Sequence, residues 1–194
     1  MRFLPGLILL LPLASPIVHA ELIDDVNDRG ELRIALEGNL PPFSFKQDGR
    51  LTGFDVELGE LLAQELEVHP SILVTDSTDL LPGVESGKYD VAINHIALTP
   101  ELQDRFDFSE PYSYAPAQLL MHKEEPQPLV VMEKPLPAED GETPNSVLAL
   151  AIPFQKGNPA FQASLDKALQ RIKADGRLTA LSEKWLETDM THSP

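Results

Sequence analysis

Polar side chains stand near the middle of the chain, where a predicted strand leads into a predicted helix. Residues 89–93 are typical of a short buried strand, and Asn94 and His95 come directly after it. Thr99 predicts the N-cap of the helix that follows, with Pro100 in its first position. Open α/β sheets bind their ligands where a strand ends beside a helix N-terminus. We therefore expect a binding edge at this point of the chain.

Glu37 ends another predicted strand and is expected at the same edge. It is either a ligand contact or a solvated loop acid, and Asn94 either touches a ligand or caps its loop. His95 could face a cleft or share a metal with Glu37, but a solvent-facing, locally hydrogen-bonded histidine is the plainer interpretation. The sequence contains no nucleophile–base arrangement, zinc spacing or phosphate loop, so we expect neither catalysis nor a cofactor or metal.

The elements that carry these residues alternate between strands and helices. The apolar patterns predict strands at residues 32–36, 71–75 and 89–93, and helices at residues 53–66 and 79–85. Such a β-α-β-α-β order predicts a mainly parallel sheet with helices on both faces. Asp48 and Gly49 predict the turn of a small hairpin inserted after the first strand. Further helices are expected at residues 21–29, 159–175 and 178–186.

The first twenty residues are typical of a cleavable secretory signal peptide. Arg2 precedes a short apolar core at residues 7–13, and Val18-His19-Ala20 resembles a cleavage site. The alternative is a retained interfacial anchor, since the apolar core is too short to span a bilayer. The chain has no cysteine, which excludes disulfides and thiolate metal sites.

The formal net charge of the chain is −16, and this charge limits its partners. Nucleic acid and anionic membrane surfaces repel such a chain, so neither is expected to bind. Solubility is the plain interpretation of the charge. No later apolar run is long enough for a membrane span.

Composition changes sharply at residues 124–146, which hold five of the 18 prolines among acidic and small residues. Such a stretch predicts a linker because it offers too few apolar residues for a core. Extended chain is expected on both sides of it. We expect residues 147–154 to pair antiparallel with residues 119–123.

Several motifs then follow one another in a characteristic order. They are GELRIA at 30–35, PFSF at 42–45, LTGFDVEL at 51–58, SGKYD at 86–90, FDFSEPY at 106–112, KGN at 156–158, DGRL at 175–178 and LSEKW at 181–185. Together they resemble the family 3 periplasmic solute-binding proteins, which are the polar amino-acid receptors of ABC importers. The cystine-binding type is the most similar. The resemblance covers residues 22–121 and 148–191.

The resemblance implies one half of a two-lobed clamshell. Family members carry a second α/β lobe of roughly 90 residues between two crossover strands, whereas this chain has only residues 124–146 there. We therefore expect a signal peptide at 1–20, lobe 1 at 21–123 and 147–191, and a Pro/Glu-rich loop at 124–146 replacing lobe 2. The expected fold is a single lobe of a type II periplasmic-binding-protein clamshell. It has a mainly parallel sheet with helices on both faces, plus an antiparallel pair of crossover strands.

The resemblance also implies which positions would grip an amino acid, and this sequence departs at four of them. Leu40 and Ser77 stand where two aromatic side chains would sandwich the ligand. Ala97 stands where a hydroxyl, and Leu102 where an arginine, would hold the carboxylate. Glu37 is retained where the family often has an acid for the ligand's ammonium group.

Other residues near this edge carry plainer expectations. Phe43 and Phe45 are expected to pack within the lobe, although one of them could line the open edge. Arg105 could replace the missing arginine, but an exposed helix arginine is the plainer interpretation. Asp55 is expected to face the positive end of its helix.

Three functions remain open at this stage. The first is a secreted, periplasmic, non-catalytic module that binds a protein partner, an apolar ligand or a second copy of itself through the exposed lobe edge. The second is a working amino-acid-binding component of an ABC importer, with a small polar ligand similar to cystine. The third is an enzyme such as a dehydratase, because relatives of this fold include dehydratases, although the missing second jaw argues against catalysis.

Overall fold

The computed structural model describes residues 21–116 and 147–193. The predicted signal peptide at 1–20, the expected strand at 119–123 and the Pro/Glu-rich stretch at 124–146 lie outside the described residues. In the described part, no helix is both long and apolar enough to cross a bilayer.

The elements follow the predicted alternation closely. The helices are α1 Leu22–Arg29, α2 Phe54–Glu65, α3 Ser77–Glu85, α4 Pro100–Arg105, α5 Pro159–Ala174 and α6 Arg177–Leu186. The strands are β1 Glu31–Leu36, β2 Asn39–Leu40, β3 Ser44–Gln47, β4 Arg50–Thr52, β5 His69–Val74, β6 Val91–Ala92, β7 Phe106–Phe108, β8 Ser113–Pro116, β9 Val147–Leu150 and β10 Pro153–Gln155.

The central sheet has five strands in the order β5-β1-β6-β10-β7. Strand β1 pairs parallel with β5 and β6, and β10 pairs antiparallel with both β6 and β7. All strands of the sheet except β10 therefore run in one direction, which confirms the predicted mainly parallel sheet. Strand β7 was not foreseen, because its three residues are too few for a periodic signal.

Helices cover both faces of this sheet, as predicted. Neighbouring residues of β1 point to opposite sides: Ile34 enters the larger apolar cluster and Ala35 enters the smaller one. The larger cluster holds residues of α1, α2, α5 and α6, including the fully buried Phe161. The smaller cluster holds Leu80 and Val84 of α3. This arrangement fixes the carboxyl ends of β1, β5 and β6 at one edge.

The two strands that flank the undescribed stretch form an antiparallel pair, as expected for the crossover strands. Strand β9 pairs with β8, and Ser113 stands opposite Leu150 while Pro116 stands opposite Val147. In the described part of the chain, β9 thus pairs with residues 113–116; residues 119–123, which the sequence offered as its partner, lie outside the described residues. The register is fixed earlier in the chain, because the fully buried Tyr112 donates its backbone N–H to Leu150 O at 2.9 Å. Residues 147–154 also divide between two sheets, since β10 leaves the pair and enters the central sheet.

A small three-stranded sheet, in the order β2-β3-β4, stands beside the binding edge. Its predicted turn is confirmed, because Asp48 and Gly49 both adopt left-handed backbone angles, with φ of 51° and 78°. Gly53 then connects this sheet to α2 with φ of 125°. A Cβ atom at Gly53 would lie 2.2 Å from Phe43 O, so only glycine allows this close approach.

Candidate functional site

The candidate site is the edge at which three parallel strands end. Glu37 follows β1, Asn94 and His95 follow β6, and Ser77 begins α3 just beyond β5. Parallel strands deliver their carboxyl ends to the same side of a sheet, which is why these residues share one edge. The fold thus places the predicted residues at the predicted edge, while their role in binding stays a prediction.

Glu37 and Asn94 form a paired unit at this edge. The Asn94 amide Nδ2 donates to Glu37 Oε2 at 2.7 Å, and Asn94 Oδ1 accepts from the Glu37 backbone N–H at 3.1 Å. Asn94 is 3% exposed, and Glu37 is half-buried. Asn94 therefore orients the Glu37 carboxylate by two hydrogen bonds, and neither residue is a freely solvated loop side chain.

His95 does not face solvent as expected. Its side chain is only 6% exposed, and its Nδ1 lies 3.3 Å from Asp55 Oδ2. The ring centroids of His95 and Phe43 are 3.3 Å apart. His95 also has a left-handed backbone, with φ of 52°, which turns the side chain beneath the edge. The plainer sequence interpretation of His95 is wrong because its partner Asp55 lies forty residues earlier in the chain, where no local pattern connects the two.

Asp55 belongs to a buried polar cluster under the edge. It stands in the first turn of α2, as predicted, but its side chain is fully buried. Burial raises the pKa of Tyr112 well above its ordinary value, and the neighbouring charge of Asp55 raises this pKa further. Among the described residues, Asp55 Oδ1 has no hydrogen-bond partner. The sequence gives no sign of this cluster, because only the fold brings its members together.

The four positions where the sequence departs from the family pattern divide between half-buried and exposed sites. Leu40, Ala97 and Leu102 are half-buried, whereas Ser77 is exposed. Leu40 and Ala97 pack against the larger core cluster, and Leu102 packs against the smaller one. The Leu102 backbone N–H donates to the Thr99 hydroxyl at 3.3 Å, which confirms Thr99 as the cap of α4.

Phe43, Phe45 and Arg105 take the plainer of their expected roles. Phe43 is 6% exposed, and Phe45 lies with its ring centroid 5.8 Å from that of Trp185. Both phenylalanines thus pack within the lobe. The Arg105 guanidinium is bonded to Glu85 at 2.8 Å on the outer surface.

Neither a metal cluster nor the two cavities of the described residues lie at this edge. Within residues 21–116 and 147–193, no three His, Asp or Glu side chains come together as a metal site requires. The two cavities lie elsewhere. One is a groove of about 490 Å³ between α2 and α6, and the other has about 220 Å³ and lies beside Tyr114 and Thr191.

Sequence comparison identifies relatives that bind amino acids. The chain is 41% identical over 103 residues to the L-cystine-binding protein TcyJ of Escherichia coli strain K12, covering 53% of this chain and 39% of that protein. It is 31% identical over 104 residues to cyclohexadienyl dehydratase of Pseudomonas aeruginosa, again covering 53% and 39%. The chain thus spans about two fifths of the length of these curated relatives.

Solved structures agree on the fold. The L-cystine solute receptor of Neisseria gonorrhoeae, in its unliganded open conformation, matches with a TM-score of 0.70 at 22% identity. That match covers 90% of this chain and 100% of the receptor chain. The arginine-bound form of domain 1 from TmArgBP matches with a TM-score of 0.57 at 24% identity, covering 76% and 98%.

A family model gives the assignment that these similarities suggest. The model describes bacterial extracellular solute-binding proteins, family 3, and it matches residues 32–188 of this chain. The match runs across both described segments and includes the whole candidate edge. Its agreement with the motif order, the sheet topology and the curated relatives leaves one assignment. This chain belongs to family 3 of the bacterial extracellular solute-binding proteins.

Proposed function

We propose that this chain is an exported, non-catalytic, one-lobe relative of amino-acid receptors whose binding edge contacts a protein partner. In this proposal the edge does not bind a free amino acid through the contacts that the family uses. The observation that carries the proposal is the apolar character of Leu40, Ala97 and Leu102. These residues stand half-buried at the edge where the resemblance expects an aromatic ring, a hydroxyl and an arginine.

The energetic consequence is large for a zwitterionic ligand. A hydrogen bond to a charged group contributes about 1.5–3 kcal/mol. Loss of the arginine contact alone therefore weakens carboxylate binding roughly ten- to a hundredfold. Where these three half-buried side chains remain accessible they make the edge apolar, and an apolar edge suits a protein partner better than a zwitterion.

A second candidate function is residual amino-acid binding by the single lobe. One observation favours it: domain 1 from TmArgBP, a match that covers 98% of that chain, was solved in an arginine-bound form. The Glu37 carboxylate, oriented by Asn94, offers this chain a contact for a cationic ligand group. Enzymatic activity is the third candidate function, and its support is that a dehydratase is among the relatives.

Placing an arginine at residue 102, where the resemblance expects one, distinguishes the first two candidate functions. We would compare the chain from residue 21 onward with Leu102→Arg and with Gln103→Arg. Residue 103 is the exposed neighbour on α4, so its variant adds the same charge outside the expected position. Each protein is unfolded thermally with cystine and with each of the twenty amino acids. A ligand present at one hundred times its dissociation constant adds about 2.7 kcal/mol, which raises Tm by about 5–10 °C.

The proposal expects no amino acid to raise Tm for the wild-type chain, and a rise for Leu102→Arg alone. In capture experiments from periplasmic extract, Leu102→Arg should lose a partner that the wild type and Gln103→Arg retain. A clear rise in Tm for the wild type, removed by Glu37→Gln, would instead establish the second candidate. Dehydration of a cyclohexadienyl substrate by the wild type would establish the third.

A further inference from the structure

Strand β5 is the outermost strand on one side of the central sheet. Its free long side is distinct from the candidate binding edge, which lies at the carboxyl ends of the strands. In the described part of the chain it pairs with β1 alone and stands last in the strand order. An open edge strand presents unpaired backbone N–H and C=O groups to any approaching strand. We infer that two copies of this chain pair antiparallel through β5, which joins their sheets into one. The inference does not rest on the proposed function.

The charge distribution favours a second copy at this edge. Charged residues make up 24% of the chain, and the net charge is −16, so two copies repel each other over most of their surface. Strand β5 has the sequence HPSILV, which carries no charged side chain at neutral pH. It lacks the lysines that commonly protect such edges, although Pro70 is a protective residue at its start. The strand itself therefore adds no charge repulsion where two β5 strands meet.

Exposed apolar side chains mark the same strand. Leu73 is 36% exposed and Val74 is 53% exposed. Among the described residues, the only other large apolar side chain exposed to this degree is Val147 of β9, at 41%. Pairing through β5 would cover Leu73 and Val74 and leave Val147 in solvent, which makes Val147 a natural control site.

The backbone hydrogen bonds show which groups point outward. His69 N–H donates to Gly30 O at 2.9 Å, and Thr75 N–H donates to Leu36 O at 3.0 Å, so both face β1. Successive residues of a strand alternate in direction, so Pro70, Ile72 and Val74 face the free edge. Pro70 has no N–H to donate.

This alternation selects one register. If Ile72 paired with Ile72 of the other copy, each Val74 would stand opposite Pro70 of the other copy. The Val74 carbonyl would then have no N–H donor, because proline has none. If Ile72 pairs with Val74 of the other copy, both residues exchange their N–H and C=O bonds and Pro70 stays outside the pairing. The two-fold axis then passes between the two copies of Leu73. They form a pair without mutual hydrogen bonds, in which the Cα atoms approach to about 4.5 Å.

The resulting dimer should be weak and dependent on concentration. A six-residue strand buries much less than the ~800 Å² per partner of a standard interface. Salt should favour the dimer, because it screens the repulsion between two acidic chains. Antiparallel pairing also turns the two candidate binding edges toward opposite ends of the joined sheet. The tests of amino-acid binding and of dimer formation can therefore fail independently.

Sedimentation velocity over a concentration series, at low and high salt, tests the inference on the chain from residue 21 onward. We expect the dimer fraction of the wild type to rise with both concentration and salt. Leu73→Glu places two carboxylates opposite each other and should abolish the dimer. Val147→Glu makes the same change at the control site and should leave the dimer intact.

A cysteine variant tests the register directly, because the chain contains no cysteine of its own. The expected Leu73 pair meets the Cα spacing that a disulfide requires. Leu73→Cys should therefore oxidise to a covalent dimer faster than Val147→Cys at equal concentration. The inference is overturned if the wild type stays monomeric at every concentration and salt. Equal sensitivity of the two glutamate variants, or equal cross-linking of the two cysteine variants, would overturn it as well.

Discussion

Replacement of Asn94 by aspartate should destabilise the lobe in a manner that depends on pH. The change preserves the shape of the side chain and leaves Oδ1 free to accept from the Glu37 backbone N–H, as it does at 3.1 Å in the wild type. It replaces the Nδ2 donor, 2.7 Å from Glu37 Oε2, by a carboxylate oxygen. The variant thus puts two carboxylates in contact at a position where Asn94 is 3% exposed.

Two effects determine how much the free energy of unfolding decreases in Asn94→Asp. The lost hydrogen bond to a charged group costs about 1.5–3 kcal/mol. Two adjacent carboxylates resist joint ionisation, which adds about 1–2 kcal/mol after allowance for solvent around the half-buried Glu37. We expect a loss of about 3 kcal/mol in the free energy of unfolding at pH 8. At about 2–4 °C per kcal/mol, Tm should fall by roughly 10 °C.

The loss of stability in Asn94→Asp should become smaller as the pH falls. In the folded variant the carboxylate pair takes up a proton at a higher pH than the same groups do in the unfolded chain. The folded state therefore binds more protons over this interval, and its stability falls as pH rises through it. At about pH 3.5 the unfolded carboxyls are mostly protonated as well, and the neutral acid can donate to its neighbour as the amide did. We expect a remaining defect below about 1 kcal/mol there.

Urea unfolding from pH 3.5 to pH 8, followed by circular dichroism, measures this dependence. Asn39→Asp is the matched control, because residue 39 is exposed on β2 and gains the same charge without a buried carboxylate neighbour. A defect of equal size at every pH, or one shared by Asn39→Asp, would refute the reasoning.

Three further predictions use the same unfolding assay. Gly53→Ala should cost at least about 3 kcal/mol, because φ is 125° and the new Cβ would lie 2.2 Å from Phe43 O; an unchanged urea midpoint would contradict this. The hydrogen bond from Arg177 lowers the pKa of Glu65, so Glu65→Gln should cost about 1 kcal/mol at pH 7. This cost should decrease as pH falls below the ordinary range of a glutamate, and a cost that does not decrease with falling pH would count against the prediction. Burial raises the pKa of Asp166, so this carboxyl reduces stability as pH rises past its ordinary range, and Asp166→Asn should gain stability over the wild type above pH 5 but not at pH 3.

Elements with local signals were predictable from the sequence. The Thr99 cap and the following Pro100 give the start of α4, and Gly30 ends α1 in the left-handed conformation that suits glycine. The mainly parallel sheet also followed from the alternation of strands and helices. Each of these features depends on residues only a few positions apart.

Features that join distant segments were not predictable in this way. The pairing of His95 with Asp55 and the placement of β10 between β6 and β7 depend on tertiary packing. The register of β8 and β9 depends on tertiary packing as well, since the buried Tyr112 donates its backbone N–H to Leu150 O. At the candidate edge, the sequence located Glu37 and Asn94 but gave no sign that they bond to each other.

The register of β8 and β9 has a consequence for engineering and for evolution. Pro116 and Val147 stand opposite each other, so the two described segments end and begin at adjacent positions. Whatever lies between two adjacent attachment points can grow or shrink at a small entropic cost, about 0.6 kcal/mol for each doubling of length. Evolution could therefore insert, remove or exchange a whole domain between Pro116 and Val147 by one genetic event, without disturbing the lobe. The same position would accept an inserted fluorescent reporter.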